Sequence, residues 1–152
     1  MAINWDTLSI REVFEQSSNV GMAKLIDRYY QGNSFSERLH DFHLDEELGL
    51  QISGEAQPYI NNNSRSTWSL CSKAWMAIGY ESRLTPLQML NFYNAVANDG
   101  RMMQPYLVEK IVKEGKVLKA FKPTVIDEQV ASRPTIEQLQ LLLEGCCRTG
   151  DS

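Results

Sequence analysis

The residues most able to do chemistry together are Ser17 and Asn19, in the run Ser17-Ser18-Asn19. Ile10, Val13 and Phe14 begin an apolar helical stripe that should continue at 17, 20 or 21 and then at 24, 27 and 28. Those later positions are Lys24, Asp27 and Arg28, while Met22, Leu25, Ile26 and Tyr29 form a new stripe displaced by about one residue. The helical phase therefore slips between Phe14 and Met22. Short polar side chains compete for backbone hydrogen bonds and favour a helix end over a helix interior. A break there could turn a hydroxyl at 17 and a carboxamide at 19 toward one cleft, whereas on a regular helix residues two apart diverge. Taken alone, the three residues read first as an ordinary helix cap, because caps of this kind open most helices.

Other candidates are weaker. His40 and His43, with Asp41 and Asp45 beside them, have a helical spacing that could bring two imidazoles to one metal, but zinc wants three or four ligands and no third is evident, so no metal is expected. Cys71 stands alone and Cys146-Cys147 are adjacent, without the spacing of a disulfide framework, a zinc site or a redox pair; all three read as core or surface thiols. Glu46-Glu47 reads as a solvated acidic face. Trp68 and Trp75, with Tyr80, could line a groove, yet packing is the expectation for Trp75.

The chain that must position these residues has 152 of them, the length of one domain able to bury roughly two thirds of its unfolded surface. Apolar residues at 43% and charged residues at 22%, with nine Gly and five Pro, are ordinary globular usage and exclude a disordered or low-complexity chain. Fifteen Lys and Arg against nineteen Asp and Glu leave a net charge of -4, so a nucleic-acid partner is not expected. No apolar run approaches the roughly 20 residues that span a bilayer, and the N-terminal Met-Ala-Ile-Asn-Trp-Asp lacks the features of a signal peptide. The chain itself is expected to be soluble.

Three runs fit the capping box that opens a helix: Ser9 to Glu12, Ser34 to Glu37 and Thr85 to Gln88. The third has Pro86 at its first turn and continues through Leu87, Met89, Leu90, Phe92, Tyr93 and Val96 to an Asn98-Asp-Gly100 stop. Apolar nearly all round, it is expected to be buried at the centre of the fold. Tyr106 to Val112 and Val117 to Phe121 flank Lys113-Glu-Gly-Lys116 and predict a hairpin. A last helix begins near Ser132 or Pro134, with Ile136, Leu139, Leu142 and Leu143 on one face, until Gly145 weakens it. Residues 48–67 read as a long irregular connection.

Residues 17–25, Ser-Ser-Asn-Val-Gly-Met-Ala-Lys-Leu, preceded by Ile-Arg-Glu-Val-Phe-Glu-Gln, resemble the S-x-N active-site motif of class B penicillin-binding proteins. The likeness continues in order through Leu48-Gly-Leu50, Trp75-Met-Ala-Ile-Gly-Tyr80, Leu84-Thr-Pro-Leu-Gln-Met-Leu90 and Asn98-Asp-Gly-Arg-Met-Met-Gln-Pro105. Its wording is most similar to Bacteroidetes-type division or elongation enzymes. The resemblance implies an α+β, helix-rich fold, a partial transpeptidase domain of the penicillin-binding-protein and β-lactamase type with a β-hairpin. It implies activated-serine catalysis on the D-Ala-D-Ala stem peptide of peptidoglycan, penicillin binding, no cofactor, and partners in the cell-division machinery. Ser17 would belong to the proton-moving network, and Asn19 would hold the substrate amide or orient the nucleophile's lysine.

The nucleophile's own S-x-x-K motif is not in this sequence: no Ser is followed three positions later by Lys, and Ser69 to Lys73 is one residue too long. The family's K-T-G is absent too, and Arg148-Thr-Gly150 follows the last helix too closely to lie on a strand; Arg148 to Ser152 reads as the link before that strand. Residues 1–152 are thus expected to be one partial domain, inactive alone, from a parent held at the cytoplasmic membrane with this domain in the periplasm. The competing expectation is a non-catalytic helical interaction module.

Overall fold

A computed structural model describes residues 7–149. The mixed, helix-rich architecture expected from the resemblance is present, with six helices and six short strands paired two by two among the described residues.

Helix α1, Ile10–Glu15, opens on the expected capping box: the Glu12 N–H donates to Ser9 Oγ at 3.2 Å, and the Ser9 N–H donates to the Glu12 carboxylate at 2.8 Å. Helix α2, Asn19–Tyr29, follows after a short turn. Helix α3, Ser34–Asp41, lacks the expected box. Its cap position is Asn33, and the Ser34 hydroxyl is used one turn earlier, donating to Gln31 O at 2.7 Å and accepting from the Gln31 N–H at 2.9 Å.

The polar stretch after Leu48 is irregular, as expected, up to strand β1, Tyr59–Ile60. It is ordered by Glu55, whose two carboxylate oxygens accept from the N–H groups of Leu48 and Leu50 at 2.5 and 3.0 Å. Strand β1 pairs antiparallel with β2, Ser82–Arg83, and helix α4, Ser72–Met76, lies between them in sequence. Leu44, Ile60 and Met76 are buried here, with Phe35, Leu39, Phe42, Trp68, Leu84 and Phe92 packed around them. Trp75 is not part of this core. It is 47% exposed and stands edge-on to Tyr80 at 5.2 Å, because Met76, one residue on, takes the inward face of the short helix.

Asn61 organises this half. It is 1% exposed, and every polar atom is engaged. Its Oδ1 accepts from Tyr59 Oη, the Asn62 N–H and Thr67 Oγ1 at 3.0 to 3.3 Å. Its Nδ2 donates to Glu81 Oε2 at 2.6 Å, its backbone N–H donates to Glu81 O at 3.1 Å, and its carbonyl accepts from Ser36 Oγ at 2.8 Å.

Helix α5, Pro86–Ala97, has its capping box between Thr85 and Gln88. It is not buried all round. Gln88, Asn91, Ala95 and Val96 face inward, while Met89, Leu90 and Tyr93 are 40%, 53% and 46% exposed. The inward face is set by polar anchorage, since buried Gln88 donates through Nε2 to Glu46 O at 2.9 Å. Strand β3, Met102–Met103, follows and pairs with β6, Val125–Asp127. The hairpin between them is β4, Lys110–Lys113, with β5, Lys116–Ala120, and its Glu114-Gly115 turn has φ of 50° and 77°, the primed geometry that matches strand twist. Its first strand starts at Lys110 rather than Tyr106 because the N–H groups of Leu107 and Val108 donate to Gln51 Oε1 at 2.8 and 3.1 Å.

Helix α6, Arg133–Thr149, buries Ile136 and runs straight through Gly145. That glycine is a point of close approach: a Cβ would overlap the Glu15 carboxylate of α1, itself paired with Arg11 at 2.6 Å. Arg148 and Thr149 are helical, so the expected link does not begin at Arg148; residues 150–152 of that link lie outside the described residues.

Replacing Asn61 by Ala strands the Glu81 carboxylate and two hydroxyl groups, so stability should fall by roughly 2–4 kcal/mol. Asn63→Ala, at an exposed neighbour, should change it by less than about 0.5 kcal/mol. Urea unfolding of the two variants measures the contrast; equal losses would remove Asn61 from its organising position.

Candidate active site

The phase slip read from the sequence is a real break. After α1 the chain makes a paired closure: the Ser17 N–H donates to Phe14 O at 3.1 Å and the Ser18 N–H to Val13 O at 2.9 Å. Ser17 carries φ of 50°. This is the Schellman pattern, with Ser17 at the left-handed position that glycine usually fills. Ser18 then opens α2, its Oγ accepting from the Gly21 N–H at 3.2 Å. Asn19 is the first residue of α2.

Ser17 and Asn19 are both exposed on this one turn, and neither side chain makes a hydrogen bond among the described residues. Beside the turn lies an open groove of about 560 Å³ between α1 and α2. Ser18 lines it, with Ile10, Val13, Val20, Lys24 and Arg28; Ser17 and Asn19 do not. Lys24 and Arg28 were visible in the sequence only as residues that break the first apolar stripe. With Val20 they recur every four positions, which places two cations and an apolar group on one face of α2.

The other candidates sort themselves. Lys73 takes a structural place: its ammonium donates to Tyr30 O at 3.0 Å, at the end of α2, and pairs with Asp27 at 3.0 Å. Cys146 is half-buried, its thiol 3.9 Å from Phe14 O, and Cys71 and Cys147 are exposed. The two histidines turn to different carboxylates. His40 Nδ1 is 2.8 Å from Asp45, while His43 reaches Glu46 at 3.1 Å and Asp127 at 3.6 Å. His40, Asp45 and Glu46 bring ligand atoms within 4.8 Å of one another, but all three are exposed and such a group carries no metal assignment by itself. The hydrogen bond and the negative charge of Asp45 hold the His40 imidazolium above its ordinary pKa.

The family model described as penicillin binding protein transpeptidase domain matches residues 2–150. The chain belongs to that family. It is 29% identical over 130 residues to the probable peptidoglycan D,D-transpeptidase PenA of Neisseria gonorrhoeae, covering 82% of this chain and 21% of that protein. With penicillin-binding protein PbpB of Mycobacterium tuberculosis it shares 30% identity over 137 residues, 86% of this chain and 19% of that one. Among solved structures, penicillin-binding protein 3 of M. tuberculosis superposes with a TM-score of 0.76 at 27% identity, over 91% of this chain and 30% of that one. The chain thus spans about a fifth of the length of these curated relatives. A transpeptidase segment is favoured over the separate interaction module, and the class B assignment drawn from the motifs stands.

Two outcomes follow from this geometry. Ser18→Ala removes the α2 cap and should cost about 1 kcal/mol, whereas Ser17→Gly relieves a left-handed φ and should leave stability unchanged or raise it by up to about 1 kcal/mol. Thermal melts of both variants decide whether Ser18 alone carries the structural load. By proton NMR, His40 should titrate above an ordinary histidine, and Asp45→Asn should lower it. Because the folded pKa is raised, the pair's stabilisation is full below the unfolded imidazole pKa and is lost as pH rises through the folded value. A His40 titration indifferent to Asp45→Asn would sever the two.

Proposed function

We propose that residues 1–152 form the S-x-N segment of one transpeptidase domain in a serine-type enzyme that cross-links peptidoglycan stem peptides. The whole enzyme is a cytoplasmic-membrane protein with this domain in the periplasm, of the Bacteroidetes type that the motif wording suggests, and it works with cell-division proteins. Its activity is acyl transfer: a serine outside this sequence attacks the D-Ala-D-Ala amide, and an amine on a neighbouring strand accepts the acyl group. β-Lactams acylate the same serine. Support for this ligand class comes from the mycobacterial penicillin-binding protein 3, whose structures include complexes with aztreonam and ampicillin.

The observation that carries the reading is the turn at 16–18. It leaves the Ser17 and Asn19 side chains exposed and without a hydrogen bond among the described residues while Ser18 does the capping. In this reading the Ser17 hydroxyl passes a proton along a hydroxyl and amine chain, and the Asn19 carboxamide, which can both donate and accept, holds a substrate amide or orients a lysine. Neither residue forms the covalent bond. Among the described residues no helix is long and apolar enough to cross a membrane.

The 152-residue chain should take up no labelled penicillin, and a stoichiometric adduct in intact-mass spectrometry would overturn that. In the complete enzyme, Ser17→Gly and Asn19→Ala should lower penicillin acylation and cross-linking by about two to four orders of magnitude. Ser17→Gly is the sharper of the two, because it relaxes the backbone while deleting the hydroxyl. Near wild-type rates in both variants would reduce the pair to a helix joint.

A further inference from the structure

The hairpin of β4 and β5 is the least supported part of the fold. Residues 109–120 are exposed without exception, and β4 and β5 pair only with each other, so both outer edges are free among the described residues. A lone two-stranded hairpin is marginal in water and gains stability from a third strand or from packing on a face. The register sorts its side chains, because residues opposite one another share a face and neighbours along a strand alternate. Val112, Val117 and Ala120 lie on one face with Lys110, and Lys113, Lys116 and Lys119 lie on the other with Ile111. Leu118 is the extra residue of a bulge in β5.

The charge of this segment is opposite to that of the chain. Five of the seven lysines fall between 110 and 122, against Glu109 and Glu114, in a chain of net charge -4. None of those five ammonium groups makes an ion pair or a hydrogen bond among the described residues, and Lys119 has only the Phe121 ring, at 4.6 Å. Elsewhere Arg11, Arg38, Arg101, Arg133 and Arg148 are each paired with a carboxylate. Interleaved with the lysines, Ile111, Val112, Val117 and Leu118 are 46% to 63% exposed.

We propose that the hairpin accepts a third strand from a partner protein, an extended segment of alternating acidic and apolar residues laid along the outer edge of β4. Main-chain hydrogen bonds to that edge supply affinity. The alternation supplies specificity, with acidic side chains on the lysine face and apolar ones continuing the valine face. The edge of β4 is the regular one, since the bulge at Leu118 interrupts β5. Other occupants conflict with the arrangement. A second copy fails on charge: β4 reads Lys110-Ile-Val-Lys113, and centred antiparallel pairing with itself sets lysine against lysine at both ends. A bilayer surface meets one face, whereas the lysines and valines lie on opposite faces. Lysines are what proteins place on edges that stay open to solvent, which argues against a permanent cover from the rest of the enzyme and for a separate polypeptide.

The test measures backbone amide hydrogen exchange over residues 109–113 of the 152-residue chain. The probes are a peptide of alternating glutamate and valine, an isomer with the same residues in two blocks, the matching lysine and valine peptide, and vesicles of pure phosphatidylglycerol. The alternating glutamate peptide should slow exchange at the outward amides of β4 in a saturable way, by about tenfold or more. The block isomer, the lysine peptide and the vesicles should leave it unchanged. In the Lys113→Gln, Lys116→Gln, Lys119→Gln triple variant, all three sites being exposed, binding should weaken by about tenfold or more. Exchange unmoved by the glutamate peptide, equal protection by any of the other probes, or undiminished binding to the triple variant would each overturn the proposal. So would β4 amides already protected in the complete enzyme with no peptide added, because the edge would then belong to the enzyme's own chain.

Discussion

The structure hangs on the joint between α1 and α2. Helix α1 packs against α6, which in turn meets α5, whereas α2 packs against α4. A continuous helix from Ile10 to Tyr29 could satisfy only one of these partnerships, because its apolar stripe would keep one direction. The closure from Ser17 and Ser18 back onto Phe14 and Val13 resets that direction with the fewest residues, at the cost of placing a serine at φ of 50°. The Glu15 contact at Gly145 fixes α1 on one side of the joint, and the Lys73 ammonium on Asp27 and Tyr30 O fixes α2 on the other.

Much of the remaining shape is held by amide and carboxylate side chains serving backbone groups rather than by strand ladders, since no described sheet exceeds two strands. Asn61 joins α3 to the loops around β1 and β2. Gln88 joins α5 to the turn at Glu46, Gln104 joins β3 to Leu48 and Gly49, and Glu55 closes the loop after Leu48. These are buried or half-buried polar groups with partners, which the interior tolerates and which fix one arrangement rather than several.

The sequence made the local signals legible: two capping boxes, the hairpin turn and the phase slip are read from neighbouring residues and recur in the structure. It misled where neighbours outside the local window decide. The hydroxyl of Ser34 had a nearer carbonyl at Gln31, so that box never closed. Apolar content predicted full burial of α5, but Gln88 turned inward to reach the Glu46 carbonyl, Asn91 is buried on the same face, and Leu90 and Tyr93 were left facing out. Asn61 is the first of three successive asparagines, and nothing local separates it from Asn63, because its partners at Ser36 and Glu81 come from 25 and 20 positions away. The family was legible in the order of several short motifs, a longer-range pattern than any single element.

The spacing S-x-N has a physical reason of its own in this chain. On an uninterrupted helix, residues two apart point about 200° from one another, so a hydroxyl and a carboxamide at that spacing could not serve one substrate. Breaking the helix between them frees that direction but creates two helix ends, each with unpaired backbone groups that would ordinarily consume nearby polar side chains. Here the first end is closed by backbone N–H groups alone, and the second by Ser18. The middle residue takes the structural work, and the flanking Ser17 and Asn19 keep their full hydrogen-bonding capacity. A cap moved to either flanking residue would stabilise α2 equally well, yet it would occupy a group that the proposed chemistry requires free.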